Sequence, residues 1–155
     1  MSHRSNMETV ERVVAAPAEA IFALLADPDR HHEFDGSGTV RSASGGSRYL
    51  RLGSRFGMSM RAGVPYSMMN TVIEYEEGRL IAWQTRAPGV FGKLIGGRIW
   101  RFDLEPRPNG TLISESWDIS EEAAFSRPIV RRMARGTRRN MATTLERIQK
   151  IVVDT

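Results

Sequence analysis

The stretch 126–152 limits what this chain can fold into more than any other. It is the longest segment without strand-like alternation, and its apolar and polar residues separate at helical spacing. Val130, Met133, Ala134, Thr137, Met141, Leu145, Ile148 and Val152 recur at steps of three and four on one side. Arg131, Arg135, Arg138, Arg139, Glu146 and Lys150 fall on the other. Ser126 is placed to act as N-cap, and Pro128 suits a first turn, where its missing N–H is not needed. Such a helix is roughly 40 Å long at ~1.5 Å per residue. A small domain buries that stripe only by curling something apolar and concave around it. The preceding residues read as strands, so the expected class is α+β: a curved antiparallel sheet gripping one long C-terminal helix.

The strand signals come in order. Residues 8–15 form a first strand carrying Val10, Val13 and Val14. Pro17 opens a short helix that buries Ile21, Phe22, Leu24 and Leu25, and Asp27-Pro28 stops it. A second short helix spans 29–34. The turn-rich runs 35–38 and 44–47 flank a short strand at 39–42. Residues 55–61 alternate, with Phe56, Met58 and Met60 on one face. Residues 66–76 and 79–86 form a hairpin about Glu77-Gly78. A two-residue turn sets Val72 opposite Trp83, Glu74 opposite Ile81, Asn70 opposite Thr85, Ile73 opposite Ala82 and Tyr75 opposite Leu80. The Trp83 face, continued by Met68 and Tyr66, is assigned to the interior. Residues 98–105 and 111–119 form another hairpin about 106–110. The order is strand, two helices, six strands, long helix, in a single domain spanning 1–155 whose residues 1–6 are expected to fray.

Composition narrows the function. The 155 residues hold no cysteine, which excludes disulfides, thiolate metal sites and cysteine catalysis and fits a cytoplasmic location. No run of 18 apolar residues is present, so stable membrane insertion is not expected. The net charge is +4, but 20 of the 22 basic residues are arginine and their dense cluster lies on the outer helix face. A solvated face is the reading taken, over a phosphate-binding stripe, and nucleic acid is not an expected partner.

The run Val10-Glu11-Arg12-Val13-Val14-Ala15-Ala16-Pro17-Ala18-Glu19-Ala20-Ile21-Phe22, continuing to Asp27, resembles the opening of the START-like, or SRPBCC, superfamily, and within it the polyketide cyclase/dehydrase-type proteins. The stretches 74–83 and 110–115 look like that family's central and last hairpins, and the likeness spans about 8–152. It implies a helix-grip fold with a cavity between sheet and helix for a lipid, polyketide or sterol-like ligand, and no cofactor. It also implies an alternative, a cyclase/dehydratase acting in the same cavity. One departure is His31-His32-Glu33-Phe34-Asp35, where many members carry tryptophans.

Phe56, Met58, Met60, Tyr66, Met68, Trp83, Trp100, Trp117, Met133 and Met141 are the candidate ligand-binding residues, and such a stripe either lines a cavity or fills the core. Glu115 is the catalytic candidate and, alternatively, a ligand anchor. It sits inward between Ile113 and Trp117, opposite Trp100, unless a one-residue register slip turns it outward. Phe91, also a candidate ligand-binding residue, belongs to the glycine-rich, apolar segment 87–97, which is either a gate at the rim or an ordinary connection. His31 and His32 diverge by ~100° on a helix, so each is read as a satisfied or exposed surface histidine and no metal site is expected.

Overall fold

The computed structural model describes residues 6–44 and 49–153. The fraying expected of residues 1–5 and most of the break at 44–47 lie outside these residues. Asn6 itself is held, because its carbonyl accepts from Ile119 N at 2.8 Å.

Seven strands form one antiparallel sheet: β1 Met7–Val14, β2 Val40–Ser44, β3 Arg55–Ala62, β4 Val64–Glu76, β5 Leu80–Arg86, β6 Gly96–Arg107 and β7 Gly110–Asp118. Their spatial order is β1-β7-β6-β5-β4-β3-β2. The first two strands therefore occupy opposite edges. The connection between them carries α1 Ala18–Leu25, a 3₁₀ turn Pro28–Arg30 and α2 His31–Phe34. Alternation puts one apolar row after another on the inner face, and bulges at 40–42, 72–74 and 85–86 bend the strands.

The terminal helix is not continuous as expected. It forms α3 Arg127–Arg131 and α4 Ala134–Val153, joined by a tighter turn in which Arg132 N and Met133 N donate to carbonyls three residues back. Ser126 does not cap α3 with its side chain, because its hydroxyl donates to Glu122 instead. The 20 residues of α4 span about 30 Å, shorter than the expected 40 Å. Leu145 and Ile148 sit in the solid part of the core with Ile21, Phe22, Leu104 and Ile113. Fully burying each such side chain is worth roughly 1.5–3 kcal/mol.

Both hairpins depart in register from the sequence reading. In β4–β5, Val72 faces Trp83 and Asn70 faces Thr85 as expected. Beyond Val72 the bulge at Ile73 moves Glu74 opposite Ala82 and Tyr75 opposite Ile81. In β6–β7 the ladder runs down to the Arg107–Gly110 pair, closing on Pro108 and Asn109. Glu115 therefore lies opposite Phe102, and Trp100 opposite Trp117.

The arginine face of the helix is tied back to the chain at several points. Arg138 donates to Thr9 O at 3.0 Å and to Glu8, and Arg131 donates to Asn6 Oδ1 at 2.8 Å. Arg147 donates to the carbonyl of Asp35.

The 35–38 turn docks on α4 through a close approach that requires glycine. Gly36 N donates to Thr144 Oγ1 at 2.8 Å, and a Cβ on Gly36 would lie 2.0 Å from Asn140 O. Gly36→Ala should therefore push the turn off the helix and cost roughly 1–3 kcal/mol. Gly136→Ala, whose Cβ meets nothing within 4 Å, should raise stability by up to about 1 kcal/mol. Chemical denaturation of the two variants checks the pair, and opposite signs are expected.

Candidate functional site

Between the inner face of the sheet and α4 lies a cavity of about 490 Å³. Period-two alternation aims Phe56, Met58 and Met60 of β3 into it, then Tyr66, Met68 and Asn70 of β4, and Trp83 and Thr85 of β5. Arg98, Trp100 and Phe102 of β6 and Glu115 of β7 complete the sheet wall. The opposite wall is His31 and Phe34 of α2, the turn residues Asp35 and Ser37, and Thr137, Asn140, Met141 and Thr144 of α4. Ser37, Tyr66, Ile95 and Met133 line it while remaining exposed, and so mark its mouth. Met133 was expected on the buried stripe. It is 49% exposed because the turn between α3 and α4 carries it to the rim.

Two expected ligand-binding residues do not reach the cavity. Trp117 is covered by the helix and packs with Ile119, Val130 and Met141, its ring 6.3 Å from that of Trp100. Phe91 sits on a 3₁₀ turn, Gly89–Lys93, that directs it to solvent, and it is 60% exposed. In its place Ile95 lines the cavity. The glycines at the end of this segment serve close packing, since a Cβ on Gly97 would lie 2.1 Å from Glu121 O.

His31 is satisfied, as one of its two readings had it, but buried rather than at the surface, whereas His32 is exposed. The His31 ring is 4% exposed and stacks on Trp83 at 4.8 Å and 23°, with Phe56 edge-on at 5.5 Å. Its Nε2 lies 2.8 Å from Leu25 O, an acceptor, so Nε2 carries the proton and donates. Burial lowers its pKa to about 4, against the opposing pull of the Leu25 carbonyl and of Asp27, Asp35 and Asp29. Sequence spacing carries no signal for this placement, which depends on α2 docking over β5. Asn70 and Thr85 were legible as a polar pair on the interior face but were not singled out. Thr85 Oγ1 donates to Asn70 Oδ1 at 2.6 Å.

Arg98 is committed elsewhere, to a buried knot that anchors the segment before α3. Its Nε and Nη2 each reach a carboxylate oxygen of Glu122 at 3.1 Å, and Gly96 N also donates to Glu122 at 3.1 Å. Burial acts to raise the Glu122 pKa, but the bonds from Arg98 and Ser126 outweigh it and hold the carboxyl below its ordinary range.

Glu115 has no such support. It is 3% exposed, and its Oε1 lacks a hydrogen-bond partner among the described residues. Burial first, and the nearby Asp35 carboxylate second, raise its pKa well above the ordinary value. An unpaired carboxylate is costly in such a place, so burial favours the protonated form. Among the described residues no group of three or more His, Asp or Glu side chains is placed to hold a metal ion.

Comparison with known proteins follows this geometry. A family model described as polyketide cyclase/dehydrase and lipid transport matches residues 8–153. The chain is 35% identical over 114 residues to the uncharacterized protein Rv0088 of Mycobacterium tuberculosis, a match over 72% of this chain and 47% of that protein. The chain thus spans about half the length of the curated relatives it matches. Among solved structures, protein MLL2253 from Mesorhizobium loti has a TM-score of 0.70 at 18% identity, covering 96% of this chain and 98% of its own. The di-domain ARO/CYC StfQ of the steffimycin biosynthetic pathway has a TM-score of 0.73 at 14% identity, covering 96% of this chain and 50% of its own. These likenesses show the helix-grip fold.

The two shifted groups give opposite pH trends. The raised Glu115 pKa contributes stability that is present below the unfolded carboxyl pKa and is lost as pH rises through the native one. The depressed His31 pKa contributes stability that is present above about 6.5 and is lost as pH falls toward about 4, up to about 3 kcal/mol. Glu115→Gln removes the first effect and keeps the second. Its stability relative to the parent should stay constant below about pH 4.5 and rise steadily above it. Melting temperatures of both proteins across pH 4–8 check this, and a difference that is flat over the range counts against a neutral Glu115.

Proposed function

The chain belongs to the polyketide cyclase/dehydrase and lipid transport family, and we propose that it binds a small hydrophobic molecule (a lipid, polyketide or sterol-like compound) in the cavity between sheet and α4. The observation that carries this reading is the cavity itself. Protein interiors pack as densely as organic crystals, and voids of about 490 Å³ are not left by ordinary packing. The volume falls within the range of small-molecule sites, roughly 300–1,000 Å³. The wall includes six Phe, Tyr or Trp and five methionine side chains, and methionine adapts its shape to the guest. The ten candidate residues that line it, Phe56, Met58, Met60, Tyr66, Met68, Trp83, Trp100, Glu115, Met133 and Met141, are the proposed ligand contacts. The 87–97 segment remains a candidate gate through Ile95 rather than through contact with Phe91.

A second reading is favoured by one observation, the buried and unpartnered carboxyl of Glu115 facing the cavity, with its pKa raised by burial. A general acid needs its proton at working pH, so a cyclase/dehydratase step on a bound ligand could use Glu115 as donor. Turnover of a polyketide model compound that is lost in Glu115→Gln, with binding retained, would select this reading. The arginine face is assigned a scaffold role, given its bonds to Asn6, Glu8 and Thr9, and nucleic acid is not a proposed partner. Among the described residues no helix is long and apolar enough to cross a membrane. A cytoplasmic location is proposed from the lack of cysteine.

Titration with the apolar fluorophore phenylnaphthylamine tests the binding reading, because Trp83 and Trp100 report from the cavity wall. Saturable binding is expected, weakened about tenfold, or about 1.4 kcal/mol, by Met60→Trp, which fills part of the space. Absence of saturable binding at high micromolar probe counts against the function. So does affinity unchanged by Met60→Trp.

A further inference from the structure

Polar groups on the cavity wall differ in how far their hydrogen bonding is already met. Arg98 is held by Glu122, Thr85 by Asn70, and His31 Nε2 by the Leu25 carbonyl. Glu115 is the exception: buried to 3% exposure and facing the cavity, with Oε1 unpartnered among the described residues. A buried polar group without a partner costs stability, and a site that keeps one is built to have the partner supplied by something else.

The position of Glu115 says where that partner sits. Along the inner face, the Phe102–Glu115 pair lines the cavity, whereas the next inward pair, Leu104–Ile113, belongs to the solid core. Glu115 therefore stands where the cavity meets the solid core, with the Asp35 carboxylate nearby. The part of a ligand that meets it lies against a buried wall.

We propose that the cavity selects an apolar ligand bearing a carbonyl oxygen, which accepts a hydrogen bond from the carboxyl group of Glu115. This rests on the reading of the cavity as a hydrophobic-ligand site and adds the chemical class of the ligand. A carboxyl without a cation beside it is a donor in this setting, and a carbonyl is the acceptor that an otherwise hydrocarbon molecule can carry inward at least cost in lost hydration. A basic amine would instead turn the end of the cavity into a buried ion pair. Desolvating two charges offsets their attraction unless further hydrogen bonds support them, and Glu115 Oε1 has no such support.

Three probes of one shape decide the matter: acetylanthracene, ethylanthracene and aminomethylanthracene, substituted at the same ring carbon and titrated by fluorescence. The parent protein is expected to bind the ketone about tenfold more tightly than the hydrocarbon, the worth of one buried hydrogen bond. Glu115→Gln keeps an N–H donor and should retain most of that preference. Glu115→Leu should bring the ratio close to one while still binding ethylanthracene. Equal binding of ketone and hydrocarbon by the parent overturns the proposal and leaves the cavity reading standing. Tightest binding of the amine, or a ketone preference that survives in Glu115→Leu, also overturns it. Failure of all three probes to bind removes the cavity reading and this proposal together.

Discussion

The inner face of a seven-stranded sheet is wider than one helix can cover. At ~4.8 Å per strand the sheet spans about 34 Å, whereas a helix with its side chains is ~10 Å across. Bulges curl the sheet to narrow the gap, and α1 and α2 close one end with Phe22, Leu24, Leu25 and Phe34. There α4 contributes Leu145 and Ile148 and the packing is complete. Toward its other end α4 lines the cavity with Thr137, Asn140, Met141 and Thr144. The cavity lies between these side chains and the inner face of the sheet.

Keeping such a space open needs fixed walls. The 35–38 turn is held to α4 by Gly36 and Thr144, and the stack of His31 on Trp83 fixes α2 over β5. On the far side, Glu122 gathers Arg98, Gly96 and Ser126 into one buried knot that joins the start of β6 to the approach to α3. A buried ion pair like this gives little net stability, but removing one partner strands a charge, so it acts as a rigid joint. The joint also commits Arg98 to Glu122, and the Glu115 carboxyl keeps an unpartnered oxygen.

Much of this fold was legible because alternation and helical spacing are local. The inward face of β3 and the amphipathic stripe of α4 followed directly from Phe56-Met58-Met60 and Thr137-Met141-Leu145-Ile148. What was misread depended on distant contacts. The bulge at Ile73 answers to sheet curvature, and nothing in residues 70–76 announces it. The tight closure at Pro108-Asn109 moved Glu115 from Trp100 to Phe102 but kept it on the inner face, because a shift of two preserves the side a residue points to. His31 was misjudged because the ring that buries it lies 52 positions away, at Trp83. The Arg98–Glu122 pair, 24 residues apart, left no pattern in the sequence. The apolar residues of 87–97 suggested contact with a ligand, yet Val90, Phe91 and Leu94 face solvent.

The site centres on one group, the buried and unpartnered carboxyl of Glu115. Carbon-13 NMR of protein labelled at the glutamate carboxyl carbons measures it directly, with Glu115→Gln supplying the assignment. The resonance lost in that variant should keep its protonated position to higher pH than the other glutamates, in contrast to Glu122, whose carboxyl is held below its ordinary range. A Glu115 resonance that titrates in the ordinary carboxylate range would contradict the account.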